Sequence, residues 1–287
     1  MSMYEAAGDE SPICPACGSP FLAWQLSLRC VLWRCPRCGH IDRDLRLARA
    51  GARSQEYGGD AAGDRVRLEL TARRLQDRVG AALSGRVLEI GSGDGRLAQL
   101  MARHAQEVVA VDVAPTPVPA PTRVRTVAGR FEDVDLGDGR FDLVVGIHVL
   151  EHVADVGDLL KSVRALLMPG GIGYFVTPNA QCTSLRAFGA DWWMLEDPTH
   201  VRFLSPRSAE LLGTAAGFTT VEVRRLLADS LACDGATLAR RLERSAPAEG
   251  ILSRPAGRVL ALGVLPVSLP VRLIRPDWRP AIEVLLR

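Results

Sequence analysis

Two pairs of cysteines near the start of the chain have the spacing of metal ligands. Each pair reads Cys-x2-Cys, and 17 residues separate the pairs, which consist of Cys14 and Cys17, then Cys35 and Cys38. Because the sequence shows no secretion signal, this spacing indicates a metal site rather than disulfides. Four thiolates close a tetrahedron around zinc and leave no position for water or substrate, so the pattern predicts a structural zinc ribbon.

A second group of residues is suited to bind a nucleotide-like ligand. An apolar segment ending in Glu89 and Ile90 runs directly into a turn made of Gly91, Ser92, Gly93, Asp94 and Gly95. Glycines let the backbone approach a ligand, and the helix expected next favours polar or anionic groups at its N-terminus. Asp112 ends the following apolar segment, where a carboxylate suits the two hydroxyls of a ribose. The spacing alone does not choose between nucleotides.

Histidines form the third group, because histidine is the side chain best suited to accept a proton near neutral pH. His148 and His152 are four residues apart and Glu151 is three after His148, so a helical turn would place them on one face. His200 follows in a later segment that can lie over the same pocket. These four residues form the predicted catalytic group.

The elements that must position these groups alternate along the chain. Strands are expected near 86–90, 108–112, 142–147 and 172–177, and helices near 96–106, 157–167 and 206–216. The alternation predicts an α/β fold with a Rossmann-like, doubly wound and mostly parallel sheet, preceded by the zinc ribbon and followed by a helical, apolar extension. Ligands bind at the carboxyl ends of such strands, which is where the glycine turn, Asp112 and His148 fall.

From residue 87 to 218 the chain resembles the class I S-adenosylmethionine-dependent methyltransferase family. Six segments match in the family's order: 87–95, 111–112, 128–133, 141–152, 166–171 and 177–179. The resemblance implies S-adenosyl-L-methionine as cofactor, with the glycine turn beside its amino-acid end, Asp112 on the ribose, and Phe131 and Glu132 near the adenine. The full predicted cofactor set is Glu89, Gly91, Ser92, Gly93, Gly95, Asp112, Phe131, Glu132 and His148.

Three interpretations of the histidine group remain open. Glu151 and His152 could orient the helix and loop, since Leu-Glu-His occurs widely in the family. One of the histidines could instead act as a general base on an acceptor hydroxyl. In the third interpretation His148, Glu151, His152 and His200 bind a second, divalent ion, an arrangement similar to that of small-RNA 3′-terminal 2′-O-methyltransferases, although His148 replaces their first Glu.

Together these features predict a methyltransferase for a small-molecule acceptor, foremost O-methylation of a sugar or natural product. Residues 146–149 lack the Asn-Pro-Pro-Tyr pattern of enzymes that methylate nucleic-acid nitrogens. The alternatives are an RNA methyltransferase that uses the ribbon to bind substrate, and a non-catalytic adaptor. Trp192 and Trp193 could wall an acceptor by stacking or could pack against the sheet.

The predicted domains are a zinc ribbon at 1–45, a linker at 46–64, the methyltransferase domain at 65–225 and an extension at 226–287. The extension is expected to cover part of the acceptor site and to end in an edge strand at 281–286.

Charge and hydropathy disfavour two classes of partner. Lys and Arg number 35 against 33 for Asp and Glu, with the charges interleaved, so a nucleic-acid partner is not expected. The longest apolar run, 259–271, contains Pro266 and Pro270 and is short for a bilayer, so no transmembrane segment is predicted. A cytoplasmic location follows from the polar, acidic start of the chain.

Overall fold

The N-terminal residues form a small antiparallel sheet. The computed structural model describes residues 11–28, 30–46, 61–115, 123–137, 139–243 and 250–287. The first strands are β1 (Leu22–Ser27), β2 (Cys30–Arg34) and β3 (Ile41–Arg43), which pair in that order. The β1–β2 pair lies between the two cysteine turns.

A seven-stranded sheet forms the main body of the molecule. The remaining strands are β4 (Arg86–Ile90), β5 (Glu107–Asp112), β6 (Val124–Ala128), β7 (Phe141–Ile147), β8 (Leu167–Pro178), β9 (Arg202–Phe203), β10 (Val221–Leu226) and β11 (Ala281–Leu286). The main sheet has the order β10-β11-β8-β7-β4-β5-β6. Only β11 runs against its neighbours, so the sheet is mostly parallel, as predicted.

Helices cover both faces of this sheet. The α-helices of the described residues are α1 (Ala61–Val79), α2 (Arg96–Met101), α3 (Val156–Leu166), α4 (Thr183–Phe188), α5 (Pro206–Ala215), α6 (Cys233–Leu242) and α7 (Pro255–Ile274). One buried cluster joins α3 and α5 to one face, and a second joins α1 and α2 to the other. The structure confirms the doubly wound, Rossmann-like α/β class.

The last strand corrects the predicted position of 281–286. β11 lies between β8 and β10 rather than at an edge, and all six of its residues are buried. A nearly continuous apolar run is typical of a strand that is covered on both faces. Its one charged residue, Glu283, accepts hydrogen bonds from Arg78 Nε at 2.8 Å and from the Tyr174 hydroxyl at 2.8 Å. The extension at 226–287 thus completes the main sheet as well as adding helices.

The ribbon is attached to the main body through a shared sheet. β9, from the methyltransferase region, pairs with β3, with Ile41 opposite Phe203. The Ser205 hydroxyl, which caps α5, also donates to the carbonyl of Cys38 at 2.5 Å. α1 already begins at Ala61, inside the predicted linker, and residues 47–60 of that linker lie outside the described residues.

Helix α7 is continuous, whereas the two prolines in its sequence were expected to interrupt the apolar run at 259–271. Pro266 and Pro270 lie inside one 20-residue helix, and an 18-residue window of this helix has a mean hydropathy of 1.6. By length and composition alone, this helix is long and apolar enough to cross a membrane. Both prolines lie on the exposed side of the helix, where water can satisfy the carbonyls that lose a partner.

Candidate active site

A cavity of about 1000 Å³ opens at the carboxyl ends of β4, β5 and β7. Ligand pockets in proteins commonly measure about 300–1,000 Å³. This cavity therefore has room for a nucleotide-sized cofactor together with a second molecule. Of the predicted cofactor set, eight members line it: Glu89, Gly91, Ser92, Gly93, Asp112, Phe131, Glu132 and His148.

The glycine turn takes a conformation that side chains disfavour. Gly91, Gly93 and Gly95 have φ values of 73°, 52° and 72°. A Cβ added to Gly91 would also lie 2.7 Å from Val149 Cγ2. Gly95 is the one member of the predicted set that does not line the cavity; it forms the N-cap of α2. Its glycine is explained by the backbone turn and not by a ligand contact.

Two carboxylates flank this turn. Asp112 accepts hydrogen bonds from the amide of Gly93 at 2.9 Å and from the amide of Ala114 at 3.0 Å, which ties the turn to the end of β5. Glu89 is buried, and its Oε2 has no hydrogen-bond partner among the described residues. Burial, followed by the charges of Asp94 and Asp112, raises the pKa of Glu89 well above its usual value. An unpartnered acceptor in the cavity wall fits a ligand that brings its own donor, such as the amino group of S-adenosyl-L-methionine.

His148 is fixed between two buried acids. Its Nδ1 lies 2.9 Å from Glu151 Oε1 and its Nε2 lies 3.0 Å from Asp229 Oδ1. Burial alone would lower the pKa of His148, but the charges and hydrogen bonds of Asp229 and Glu151 raise it to about 9. Both ring nitrogens then carry protons and donate. His148 is thus a partly buried cation near neutral pH, so the structure does not support its predicted roles as base and as metal ligand.

The contact with His148 also changes the pKa values of Glu151 and Asp229. Burial opposes their ionisation, yet His148 lowers the pKa of Glu151 to about 2 and also lowers the pKa of Asp229. Glu151 Oε2 accepts a further hydrogen bond from the Thr177 hydroxyl at 2.9 Å. His148 itself has a φ of 56° and Ser230, beside Asp229, has a φ of 48°. These are the two non-glycine residues with positive φ in the described parts of the chain, so backbone strain is concentrated at this contact.

His152 presents a free nitrogen to the cavity. Thr199 Oγ1 donates to Asp197 Oδ1 at 2.6 Å, so its lone pairs remain to accept from His152 Nδ1 at 3.0 Å. These two hydrogen bonds place the proton of neutral His152 on Nδ1 and leave the Nε2 lone pair available. His152 lines the cavity, so it has the tautomer and the position that a general base requires.

His200 lies against His152, with ring centroids 4.6 Å apart. Its Nδ1 donates to the carbonyl of Met194 at 2.7 Å, and burial followed by the charge of His152 lowers its pKa to about 4. His200 is therefore neutral, with its own Nε2 lone pair. Ligand atoms of Glu151, His152 and His200 lie within 4.8 Å of one another, so this trio could also hold a metal ion.

The two tryptophans have separate positions. Trp192 is fully buried and packs against Phe203, with ring centroids 5.3 Å apart. Trp193 lines the cavity together with Met194. The sequence left two interpretations open for these tryptophans. Trp192 packs in the protein interior, whereas Trp193 forms part of the cavity wall.

The four cysteines of the ribbon converge as predicted. Cys14 Sγ lies 3.5 Å from Cys38 Sγ, and Cys17 Sγ lies 3.4 Å from Cys35 Sγ; all four sulfurs fall within 4.8 Å. Ligands about 2.3 Å from a tetrahedral zinc would be separated by about 3.8 Å. The arrangement fits a structural zinc ion and is separate from the cavity.

Asp229, Asp197 and Thr199 were not singled out from the sequence as site residues. Asp229 is 81 positions from His148 and belongs to no recognisable spacing. Asp197 and Thr199 lie next to His200 in the sequence, so the polar segment 197–200 is the signal that points to them.

A parallel sheet with a glycine turn at the end of its first parallel strand, and with an acid at the end of the next, defines a nucleotide-cofactor-binding fold. A family profile described as "Methyltransferase domain" matches residues 64–223, which is more than half of the chain. The chain belongs to this family of class I S-adenosylmethionine-dependent methyltransferases.

Similar proteins include a ubiquinone biosynthesis O-methyltransferase from Azorhizobium caulinodans, 34% identical over 160 residues, covering 51% of this chain and 63% of that protein. Another protein of that name, from Cereibacter sphaeroides, is 34% identical over 151 residues, covering 48% and 61%. The chain thus spans less than two thirds of the length of these relatives. A solved S-adenosylmethionine dependent methyltransferase from Mesorhizobium loti aligns with 80% of this chain and 100% of its own, at 15% identity and a TM-score of 0.49.

Proposed function

We propose that the protein transfers a methyl group from S-adenosyl-L-methionine to a hydroxyl oxygen of a small-molecule acceptor. The observation that carries this proposal is the free Nε2 of His152, which faces the same cavity as the glycine turn. The relatives named as O-methyltransferases support oxygen as the acceptor atom. A cytoplasmic location is part of the same proposal.

The cofactor would supply a methyl group already activated on a sulfonium. Gly91, Gly93 and Asp112 would hold its amino-acid and ribose parts, and Glu89 would accept from its amino group. His152 Nε2 would take the proton of the acceptor hydroxyl as the carbon–oxygen bond forms and the carbon–sulfur bond breaks. Asp197 and Thr199 would keep His152 in the reactive tautomer, and the pinned His148 would hold Glu151 ionised.

The acceptor end of the cavity supports a partly apolar molecule. Trp193, Met194, Leu252 and Leu265 line the cavity near His152 and His200, and its polar lining also includes Asp197, Ser230 and Arg258. We therefore propose a natural product with a ring that can stack on Trp193, with a sugar as the second choice.

A divalent ion at Glu151, His152 and His200 is a second candidate arrangement, supported by their 4.8 Å convergence. The ion would lower the pKa of the acceptor hydroxyl and replace His152 as the activating group. Transfer that is lost after chelation and restored by magnesium or manganese, with the ribbon's zinc content unchanged, would assign this arrangement. Methyl transfer that is unaffected by chelation would instead support His152 as the general base.

Transfer of labelled methyl into an extract of the source cells tests the acceptor class. The extract is then separated into RNA, protein and small-molecule fractions. We expect the label in the small-molecule fraction. Label in RNA would contradict the proposal and would make the ribbon a substrate-binding module, whereas absence of cofactor binding would make the protein a non-catalytic adaptor.

A further inference from the structure

Helix α7 exposes a face that contains apolar residues only. Among residues 255–274, every exposed position is Pro, Ala, Gly, Val, Leu or Ile. Val259, Leu262, Val267, Leu273 and Ile274 are between 63% and 76% exposed. Together with the exposed Pro266 and Pro270, they place an apolar residue every three to four positions, so they form one stripe along the helix. Contiguous apolar surface of this kind marks an interaction site.

The opposite face of α7 is held firmly to the protein. Arg272 is fully buried, and its Nε donates to Asp234 Oδ2 of α6 at 2.7 Å. Ala261 packs so closely on α6 that a Cβ at Gly235 would lie 2.3 Å from its Cα. For this helix to span a bilayer, these contacts would have to break and Arg272 would have to enter hydrocarbon, which is costly. A partner would therefore contact the exposed stripe along the length of the helix.

Charges at the ends of α7 indicate the chemistry of that partner. Arg254 directly precedes the helix and Arg275 directly follows it, and their side chains are 44% and 62% exposed. The helix itself contains no acidic residue. Arg254 pairs with Glu243 and Arg275 with Asp277, but such exposed pairs are weak and can exchange for other anions. Apolar residues between two cations match the acyl and phosphate layers of an anionic bilayer surface.

A second copy of the chain fits this surface less well. Two copies related by a two-fold axis across the helix would lie antiparallel, so Arg254 of one would approach Arg275 of the other. Like charges placed together oppose association.

We propose that the exposed face of α7 docks on the surface of anionic membranes, with the helix lying in the plane of the interface. Leu262 belongs both to this face and to the cavity wall, so the docked face borders the entrance to the site. The docking does not depend on the proposed methyl transfer.

Sedimentation with vesicles tests this proposal on the full-length protein. The probes are vesicles of phosphatidylcholine alone and vesicles that also contain phosphatidylglycerol. We expect the protein to sediment with the anionic vesicles, and Val259→Asp with Val267→Asp to reduce the bound fraction about tenfold or more. These two residues do not line the cavity. The matched control is Leu28→Asp, because Leu28 is 85% exposed in the ribbon and should leave binding unchanged.

Two further readouts can overturn the proposal. Arg254→Gln with Arg275→Gln should weaken binding to anionic vesicles by about fivefold or more, and equal binding to both vesicle types would contradict the choice of an anionic surface. Wild-type protein that stays in the supernatant would contradict membrane docking. So would a dimer in sedimentation equilibrium that the two Asp substitutions convert to monomer, since a second copy would then cover the face. Retained cofactor binding shows that each variant is folded, and none of these readouts requires methyl transfer.

Discussion

At the scale of single residues, the site depends on which histidine nitrogens are already occupied. His148 uses both nitrogens on buried acids, whereas His152 uses one and keeps the other free. The sequence identified both residues but could not separate their roles, because spacing reports which side chains are near in the chain and not which distant groups face them. Asp229, on a remote segment, is what distinguishes His148.

The assignment of Asp112 to the ribose leads to a binding prediction. Asp112→Ala removes the acceptor at the end of β5 and should weaken binding of S-adenosyl-L-methionine by about 1–3 kcal/mol, the cost of leaving hydrogen-bond partners unsatisfied. Isothermal titration calorimetry measures this change. Asp133→Ala is the matched control, because its carboxylate is 72% exposed and lies outside the cavity wall. Equal affinity of wild type and Asp112→Ala would remove Asp112 from the cofactor site.

Thr199 is predicted to position His152 rather than to touch the cofactor. Thr199→Val removes the hydroxyl that accepts from His152 Nδ1 and should lower kcat about 10- to 100-fold, the range seen when the hydrogen-bond partner of a metal-bound histidine is lost. Thr199→Ser keeps the hydroxyl and should restore most of the activity. Steady-state kinetics should show the loss in kcat with KM for the cofactor unchanged. Equal kcat for Thr199→Val and Thr199→Ser would contradict the positioning role.

At the scale of elements, the sequence predicted β4, β5, β7, β8 and their helices, but not the parallel strand β6, the position of β11 or the continuity of α7. The motif-bearing strands follow each other locally, so their apolar segments and glycine turn are sufficient to place them. β11 is added from the far end of the chain and pairs with β8 about a hundred residues away, which no local pattern reports. α7 remains helical through two prolines because its other side packs on α6.

His148 follows β7 and forms an ion pair with Asp229, which lies in the segment before α6. This ion pair predicts that the stability of the protein depends on pH. Asp229 and Glu151 together raise the folded-state pKa of His148 to about 9, above its unfolded value of 6.5, against the opposing effect of burial. This stabilisation is fully present below pH 6.5 and is lost as the pH rises through 9. The lowered pKa of Asp229 means that it is also lost in strong acid.

Asp229→Asn should therefore lower the free energy of unfolding by about 3 kcal/mol near pH 6, the order of magnitude for breaking a buried ion pair. The difference from wild type should shrink towards pH 10. Urea unfolding at a series of pH values measures it. Asp158→Asn, whose carboxylate is 72% exposed, is the control and should change little at any pH. A difference that stays constant from pH 6 to 10 would contradict the assignment of a charged His148.

At the scale of the whole molecule, the ribbon and the catalytic domain share structure that a domain division by sequence does not show. Arg43 of β3 donates to the carbonyls of Leu195 and Asp197 at 2.7 and 3.0 Å, on the segment that leads to Thr199 and His200. Zinc in the ribbon would therefore support the site through β3. The cysteine spacing was sufficient to predict the cluster of four sulfurs, but the contact with the site depends on tertiary pairing of β3 with β9.

Loss of zinc should consequently affect more than the N-terminal residues. Cys35→Ser should release the metal, lower the Tm of the whole protein and reduce methyl transfer, because the segment carrying Asp197 loses its support. Zinc content, differential scanning calorimetry and activity measure the three effects. Cys30→Ser is the control, since Cys30 lies outside the four-sulfur cluster. Zinc loss with unchanged Tm and activity would show that the ribbon is independent of the site.

The most direct test of the account compares wild type with His152→Gln. Glutamine keeps a polar side chain of similar length but cannot take the acceptor's proton. We predict equal affinity for S-adenosyl-L-methionine by calorimetry and a fall of about 10²- to 10⁴-fold in the transfer of labelled methyl to the small-molecule fraction. Transfer at the wild-type rate by His152→Gln, with the cofactor bound equally, would contradict the central claim that this histidine activates the acceptor.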